Sequence, residues 1–122
     1  MAQHNELGKQ GESLAVGFLE TKGLHILDKN YRFEKSEIDI VALQLEPAEV
    51  VFVEVKTRSS DYAGYPESSV DEAKKQHLFK AADAYLYEKQ LLTVPARFDI
   101  IAVSMQNPEH PMIYHIEDAF RY

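Results

Sequence analysis

Val50–Arg58 reads VVFVEVKTR and alternates with a period of two. That period predicts a β-strand. Successive side chains of a strand point to opposite faces of its sheet. Val51, Val53 and Val55 therefore share one face, and Val50, Phe52, Glu54 and Lys56 share the other. The second face begins with two buried-type residues and ends with a carboxylate beside an ammonium. Any fold of this chain has to give that pair a place.

The flanking sequence supplies a sheet around this strand. Leu7, Leu14, Ala15, Phe18 and Leu19 recur at helical spacing from Leu7 to Lys22, with a first turn weakened by Gly8 and Gly11. Gly23 stands where a left-handed residue commonly closes a helix. Leu24–Phe33 predicts a strand with an irregular middle, and Glu37–Leu45 (EIDIVALQL) a second strand. A turn at LEPAE leads into the third, so the three form a meander. Ser59–Ser69, rich in Ser, Gly and Pro, is a loop. Ser69 with Glu72 fits a capping box for a helix running to about Leu92. Its apolar side is Val70, Ala73, Leu78, Ala81, Ala82, Tyr85 and Leu86. Beyond Pro95, Ala96–Ser104 and Met112–Ile116 predict two more strands. The long crossover through the second helix predicts that the fourth strand joins the sheet parallel to a neighbour. The expectation is an α/β fold with a mixed sheet flanked by helices.

The chain has 122 residues, a length that suits one domain with one core, here residues 1–122. No run is long enough to span a bilayer, and the first residues show no apolar signal core. There is no cysteine, which removes disulfides, thiol nucleophiles and zinc ribbons, and fits a cytoplasmic location. The net charge of −7 argues against tight non-specific binding to phosphate backbones. It leaves room for a local basic patch, or for bridging by a divalent cation.

Asp39 lies inside the otherwise apolar EIDIVAL. Ionised carboxylates are rarely buried without a partner. In a hairpin of the second and third strands, Asp39 and Glu54 come near each other across the ladder. Two close carboxylates repel unless a proton or a cation lies between them. Mg²⁺, or Mn²⁺ in its place, takes one or two carboxylates and keeps open positions for substrate phosphate. Lys56, beside Glu54, is placed to steer a water or to stabilise charge on phosphorus. Alone, a Glu-x-Lys on a strand face is an ordinary solvated pair, and Asp39 alone is an ordinary strand-end carboxylate. Glu12 in GKQGESLA is either an exposed acid favoured by the helix dipole or a third acid reaching the same point. The five histidines have no metal-ligand spacing. The tyrosines, among them Tyr62, Tyr65, Tyr85 and Tyr87, suit base stacking or ordinary packing. Asp99 in RFDII suits a structural pairing with Arg97.

Asp39 followed by Glu54-Val55-Lys56 resembles the PD-(D/E)xK motif of restriction-endonuclease-like nucleases, with Ile38 where the motif has proline. More closely, the chain resembles the YraN family of small bacterial proteins. That resemblance rests on GKQGESLA at Gly8–Ala15, NYR at Asn30–Arg32, SEIDIVA at Ser36–Ala42 and VFVEVKTR at Val51–Arg58. It continues through Lys74, RFDIIAV at Arg97–Val103 and HIEDAF at His115–Phe120. Ser36 stands where the family often has glycine, so the turn into that strand is expected to differ. The resemblance implies a restriction-endonuclease-like αβββαβ core, similar to archaeal Holliday-junction resolvases. It implies Glu12, Asp39 and Glu54 as metal ligands, Lys56 as the catalytic lysine, and Mg²⁺ or Mn²⁺ as cofactor. Arg32, Arg58 and Lys74 are candidates for phosphate contacts.

Two functions follow as expectations. One is a metal-dependent endonuclease acting on DNA, including branched DNA. The other is a non-catalytic module that keeps the nuclease fold and docks on nucleic acid or on protein. The acid–acid–Lys set favours the first. The negative charge and small size favour the second, or a homodimer or protein partner that supplies basic surface.

Overall fold

A computed structural model describes residues 6–59 and 70–121. The elements are α1 (Glu6–Thr21), β1 (His25–Phe33), β2 (Ser36–Leu45), β3 (Ala48–Arg58), α2 (Glu72–Glu88), β4 (Ala96–Ser104) and β5 (Met112–Phe120). The five strands form one sheet in the order β1-β2-β3-β4-β5. β3 and β4 are parallel, and the other neighbours are antiparallel. The fold is thus mixed α/β, with the meander and the parallel crossover that the sequence predicts. Among the described residues no helix is long and apolar enough to cross a membrane.

The two faces of β3 feed two separate cores. Val50 and Phe52 join Val41, Phe98, Ile100 and the α2 residues Leu78, Phe79, Ala82, Tyr85 and Leu86. Val51 and Val53 join Ile40, Ala42, Ile101, Val103 and the α1 residues Ala15 and Leu19. Burying each Val, Leu, Ile or Phe side chain among these stabilises the fold by about 1.5–3 kcal/mol relative to leaving it in water. Ala73, expected on the apolar side of α2, is exposed, and Phe79 takes a core place instead.

Gly11 sets how closely α1 approaches the sheet. A Cβ there would run into the Oγ1, Cβ and Cγ2 atoms of Thr57 on β3. The glycine that weakens the first turn therefore lets the helix start sit against the far end of β3. At the other end of α1, Gly23 has φ 90°, and Leu24 N–H reaches back to the Leu19 carbonyl. This is the left-handed closure expected at Gly23.

Several boundaries differ from expectation. α2 is capped by Asp71, whose side chain accepts from Lys74 N–H, and Ser69 lies outside the described residues. α2 stops at Glu88, short of Leu92. Gln90 adopts φ 60° there, and Leu91 N–H bonds the Leu86 carbonyl. A glycine-like closure made by glutamine carries no signal in the sequence. β5 runs on to Phe120 because a register shift opposite Phe98 and Ile100 lets pairing resume at Phe120. The irregular middle of β1 is a register shift between Ile26 and Asp28. The turn into β2 is tight, with Phe33 opposite Ser36 and Glu34 at φ 56°.

Asp99, fully buried, is the polar anchor of the β4–β5 side. It pairs with Arg97 Nε at 3.0 Å and with His115 Nε2 at 2.7 Å, and accepts from Asp118 N–H at 2.9 Å. Arg97 also reaches Glu49 Oε1 at 3.3 Å, which ties β4 to β3. Burial alone would raise the Asp99 carboxyl, but these hydrogen bonds outweigh it and leave the carboxyl below its ordinary value. A depressed carboxyl contributes stability that is complete above the ordinary carboxylate value and is lost as pH falls through the folded value. Asp99→Asn is expected to cost on the order of 3 kcal/mol near neutral pH. Urea unfolding across pH should show the gap to the wild type closing as pH drops through that window.

Candidate functional site

The β2–β3 ladder runs from Leu45↔Ala48 to Ile40↔Val53 and stops there. One further step in the same register places Asp39 opposite Glu54. β2 continues to Ser36 but pairs only with β1 beyond this point. The two strands part, and Asp39 fills the opening. Its Oδ2 accepts the Val55 N–H at 2.8 Å, in the place of a backbone acceptor from β2. Buried backbone donors need such a partner, so the side chain that interrupts the apolar run also closes the end of the ladder.

Glu54 is buried, at 7% exposure, yet ionic partners meet it from two elements. Lys74 Nζ of α2 lies 2.6 Å from its Oε2, and Lys56 Nζ lies 3.2 Å from the same atom. Two ammonium groups on one carboxylate oxygen offset the cost of burying it. Lys74 sits in the first turn of α2, where the Asp71 cap fixes the helix start. Burial by itself would pull the Lys74 ammonium down, but Glu54 outweighs it and holds the ammonium above its ordinary value.

Asp39 has the opposite balance. Burial is the largest influence and pushes its carboxyl well above the ordinary range. The charge of Glu54 pushes the same way, as does that of Glu12, against the Val55 N–H and Lys74. Glu12 of α1 accepts from Asn30 Nδ2 of β1 at 3.2 Å. Asn30 itself is held at φ 53°, a left-handed conformation that asparagine tolerates.

An open cleft brings the expected residues together. Glu12, Asp39, Glu54, Lys56 and Lys74 all line it, with Thr57 and the helix-start residues Leu7 and Gly8. A second depression reaches Asp39, Glu54 and Lys74 from the α2 side, past His77 and Ser36. Arg32 and Arg58, expected at phosphates, lie outside both linings. Among the described residues no three His, Asp or Glu side chains stand close enough to hold a metal ion as a group. Glu12 thus shares the cleft with Asp39 and Glu54 without closing a three-acid cluster. The donor chemistry of Asp39 and Glu54 alone fits a hard divalent cation, which takes one or two carboxylates. Their mutual repulsion, visible in the raised Asp39 carboxyl, is what such a cation would relieve. Asn30 was not singled out from the sequence, although it stands in the NYR stretch; its signal is a residue that accepts a left-handed backbone beside an apolar strand.

The model of the family described as "Uncharacterised protein family UPF0102" matches residues 11–103, from the buried glycine of α1 to the end of β4. The chain belongs to the UPF0102 family. A UPF0102 protein of Flavobacterium psychrophilum is 51% identical over 120 residues, covering 98% of both chains. A UPF0102 protein of Bacteroides thetaiotaomicron is 48% identical over 120 residues, covering 98% of this chain and 96% of the relative. One of Christiangramia forsetii is 46% identical over 122 residues, covering 100% of this chain and 99% of the relative. The matched UPF0102 span contains Glu12, Asp39, Glu54, Lys56 and Lys74 and stops before β5.

A raised carboxyl makes the folded chain hold a proton where the unfolded chain has lost it. Ionising Asp39 therefore costs stability as pH rises from the ordinary carboxylate range toward the raised value. Asp39→Asn keeps an oxygen for the Val55 N–H and removes the charge. Thermal melts in a metal chelator should find the variant more stable than the wild type near neutral pH, with the gap shrinking as the solution is acidified. Equal pH profiles would show that Asp39 carries no such cost.

Proposed function

We propose that this chain is a metal-dependent endonuclease of the restriction-endonuclease-like, PD-(D/E)xK kind, which hydrolyses phosphodiester bonds in DNA, branched or otherwise structured DNA included. The observation that carries this reading is the parting of β2 and β3 at Asp39 and Glu54, with Lys56 and Lys74 on the same carboxylate. A purely structural strand pair has no reason to end on two repelling acids at the mouth of an open cleft. Asp39 and Glu54 are the residues that would hold Mg²⁺ or Mn²⁺, and Glu12 is the nearest acid that α1 offers. When bound, the ion supplies Lewis acidity and lowers the pKa of a coordinated water.

The remaining chemistry belongs to the chain's own side chains. Lys56 presents a fixed positive charge where negative charge grows on the phosphoryl oxygens, a preorganised stabilisation. Lys74, 2.6 Å from the Glu54 Oε2, holds that carboxylate oriented while the site is free of substrate. Asp39 is kept in place by the Val55 N–H, so its carboxylate does not have to search for its position. Dimerisation or a protein partner would supply the basic surface that a chain of net charge −7 lacks.

A second reading also has an observation behind it. Glu54 is already neutralised by two ammonium groups, and no three-acid cluster forms among the described residues. On that reading the chain is a binding module that keeps the architecture without hydrolysis.

Titration calorimetry with Mn²⁺ separates the two. The endonuclease reading expects a weak site in the wild type that Asp39→Asn removes, and identical titrations would rule out the ligand assignment. In a cleavage assay on duplex and four-way-junction DNA, Lys56→Ala is expected to lower turnover by about a hundredfold or more. The fold should survive the change, since Lys74 still pairs with the buried Glu54 carboxylate, and a melting curve checks this. Full activity of Lys56→Ala would remove the catalytic role.

A further inference from the structure

The α2 side of the sheet is covered unevenly. α2 packs over β1 and β2, and its core contacts toward β4 and β5 reach Phe98, Ile100 and Phe120. The register then continues past that core in two cross-strand rows. Lys56 stands opposite Ala102, which stands opposite Tyr114. Arg58 stands opposite Ser104, which stands opposite Met112. Strand alternation puts all six on the face that also bears Glu54 and Ile100. Tyr114 is 55% exposed and Met112 53% exposed on the edge strand β5. Among the described residues Arg58 has no carboxylate in ion-pair range, and the six-residue strip itself holds no acid.

The Tyr114 ring and Met112 lie in adjacent rows on one face of β5, so the exposed apolar surface there is a contiguous stripe and not a single scattered residue. Here the ring shares its row with the lysine of the candidate site, and the next row carries a guanidinium. Aromatic rings stack on bases, and cations on the same surface hold the phosphates that follow. Bases inside a duplex are already stacked on one another and present only their edges. An exposed tyrosine on a sheet face therefore selects a strand whose bases are unpaired.

We propose that the Lys56–Tyr114 and Arg58–Met112 rows form a binding platform for single-stranded or locally unpaired nucleic acid, with a base on the Tyr114 ring and phosphates at Arg58 and Lys56. The platform leads directly into the cleft at Glu54, and in that respect it rests on the endonuclease reading. It names the substrate feature that reading leaves open: the strand entering the site is unpaired on the β5 side. An acidic protein surface would satisfy the cations, whereas a nucleic-acid strand supplies phosphates for them and a base face for the Tyr114 ring at a regular repeat. Charge complementarity and the aromatic ring together favour nucleic acid.

The test is fluorescence anisotropy in a chelator, so that binding is read without cleavage. The probes are a labelled oligothymidylate and the same strand annealed to its complement. The wild type should bind the single strand more tightly than the duplex. Tyr114→Ala should weaken single-strand binding by roughly tenfold, and Tyr114→Phe should restore it. Arg58→Ala should lower the slope of log affinity against log salt by about 0.7, the loss of one phosphate contact on a single strand. Tyr114→Ala and Arg58→Ala both binding like the wild type would overturn the platform. So would a wild-type dimer that Tyr114→Asp splits on sizing, which would assign the face to a second copy. Cleavage on the Asp39 and Lys56 variants reports separately on the endonuclease reading. Tyr114-dependent binding in a chain that never cleaves DNA would keep the platform and remove the nuclease.

Discussion

The bond from the Val55 N–H to the Asp39 carboxylate decides how this molecule is organised. A sheet normally satisfies its backbone by pairing strand with strand. Here one side chain takes over that role at the point where β2 leaves β3. Because Asp39 closes the ladder, β2 can part from β3 without stranding a buried donor. Because the strands part, a cleft opens beside Glu54 that helices on both sides can reach. α1 brings Glu12, and α2 brings Lys74. The close seat of α1 depends in turn on Gly11 against Thr57, three residues beyond Glu54 on the same strand.

The two buried acids of β3 and β4 show two ways of keeping charge inside a protein. Glu54 is neutralised by lysines that approach from a helix and from its own strand. Asp99 pairs with a guanidinium and is hydrogen-bonded by an imidazole and a backbone N–H. Asp39 has less compensation, which is why its carboxyl moves up while that of Asp99 moves down. A site that does chemistry is expected to keep an imbalance of this kind, and a structural network is expected to remove it.

Much of this was legible in the sequence because it depends on local periodicity. The alternation of VVFVEVKTR fixed which residues of β3 share a face, and the hairpin spacing put Asp39 near Glu54. Gly23 announced the end of α1 because only glycine is at ease at that backbone angle. Gln90 makes the same turn without announcing it, so α2 reads too long. Lys74 was singled out, but its contact with Glu54 depends on how α2 is rotated about its axis, and the Asp71 cap sets that. His115 reaches Asp99 only through the pairing of β5 with β4, which no local pattern encodes. The same holds for Tyr114, whose partner in the row is Lys56 two strands away.

The parallel pairing of β3 with β4 has a consequence for how the chain assembles. β1, β2 and β3 join through hairpins, whereas β3 meets β4 only after α2 has bridged the gap. Contacts that close long loops form late, because the entropy of closure comes before the reward. Until then β3 is an edge strand, with its hydrogen-bonding side toward β4 open to any other extended chain. Such edges invite aggregation, and inward-pointing charges are a known defence. Glu54 and Lys56 lie on this temporary edge, and the Lys74 ammonium belongs to the helix that has yet to dock. The charges gathered for the cleft are thus expected to guard the half-made sheet against the wrong neighbour until its own fourth strand arrives.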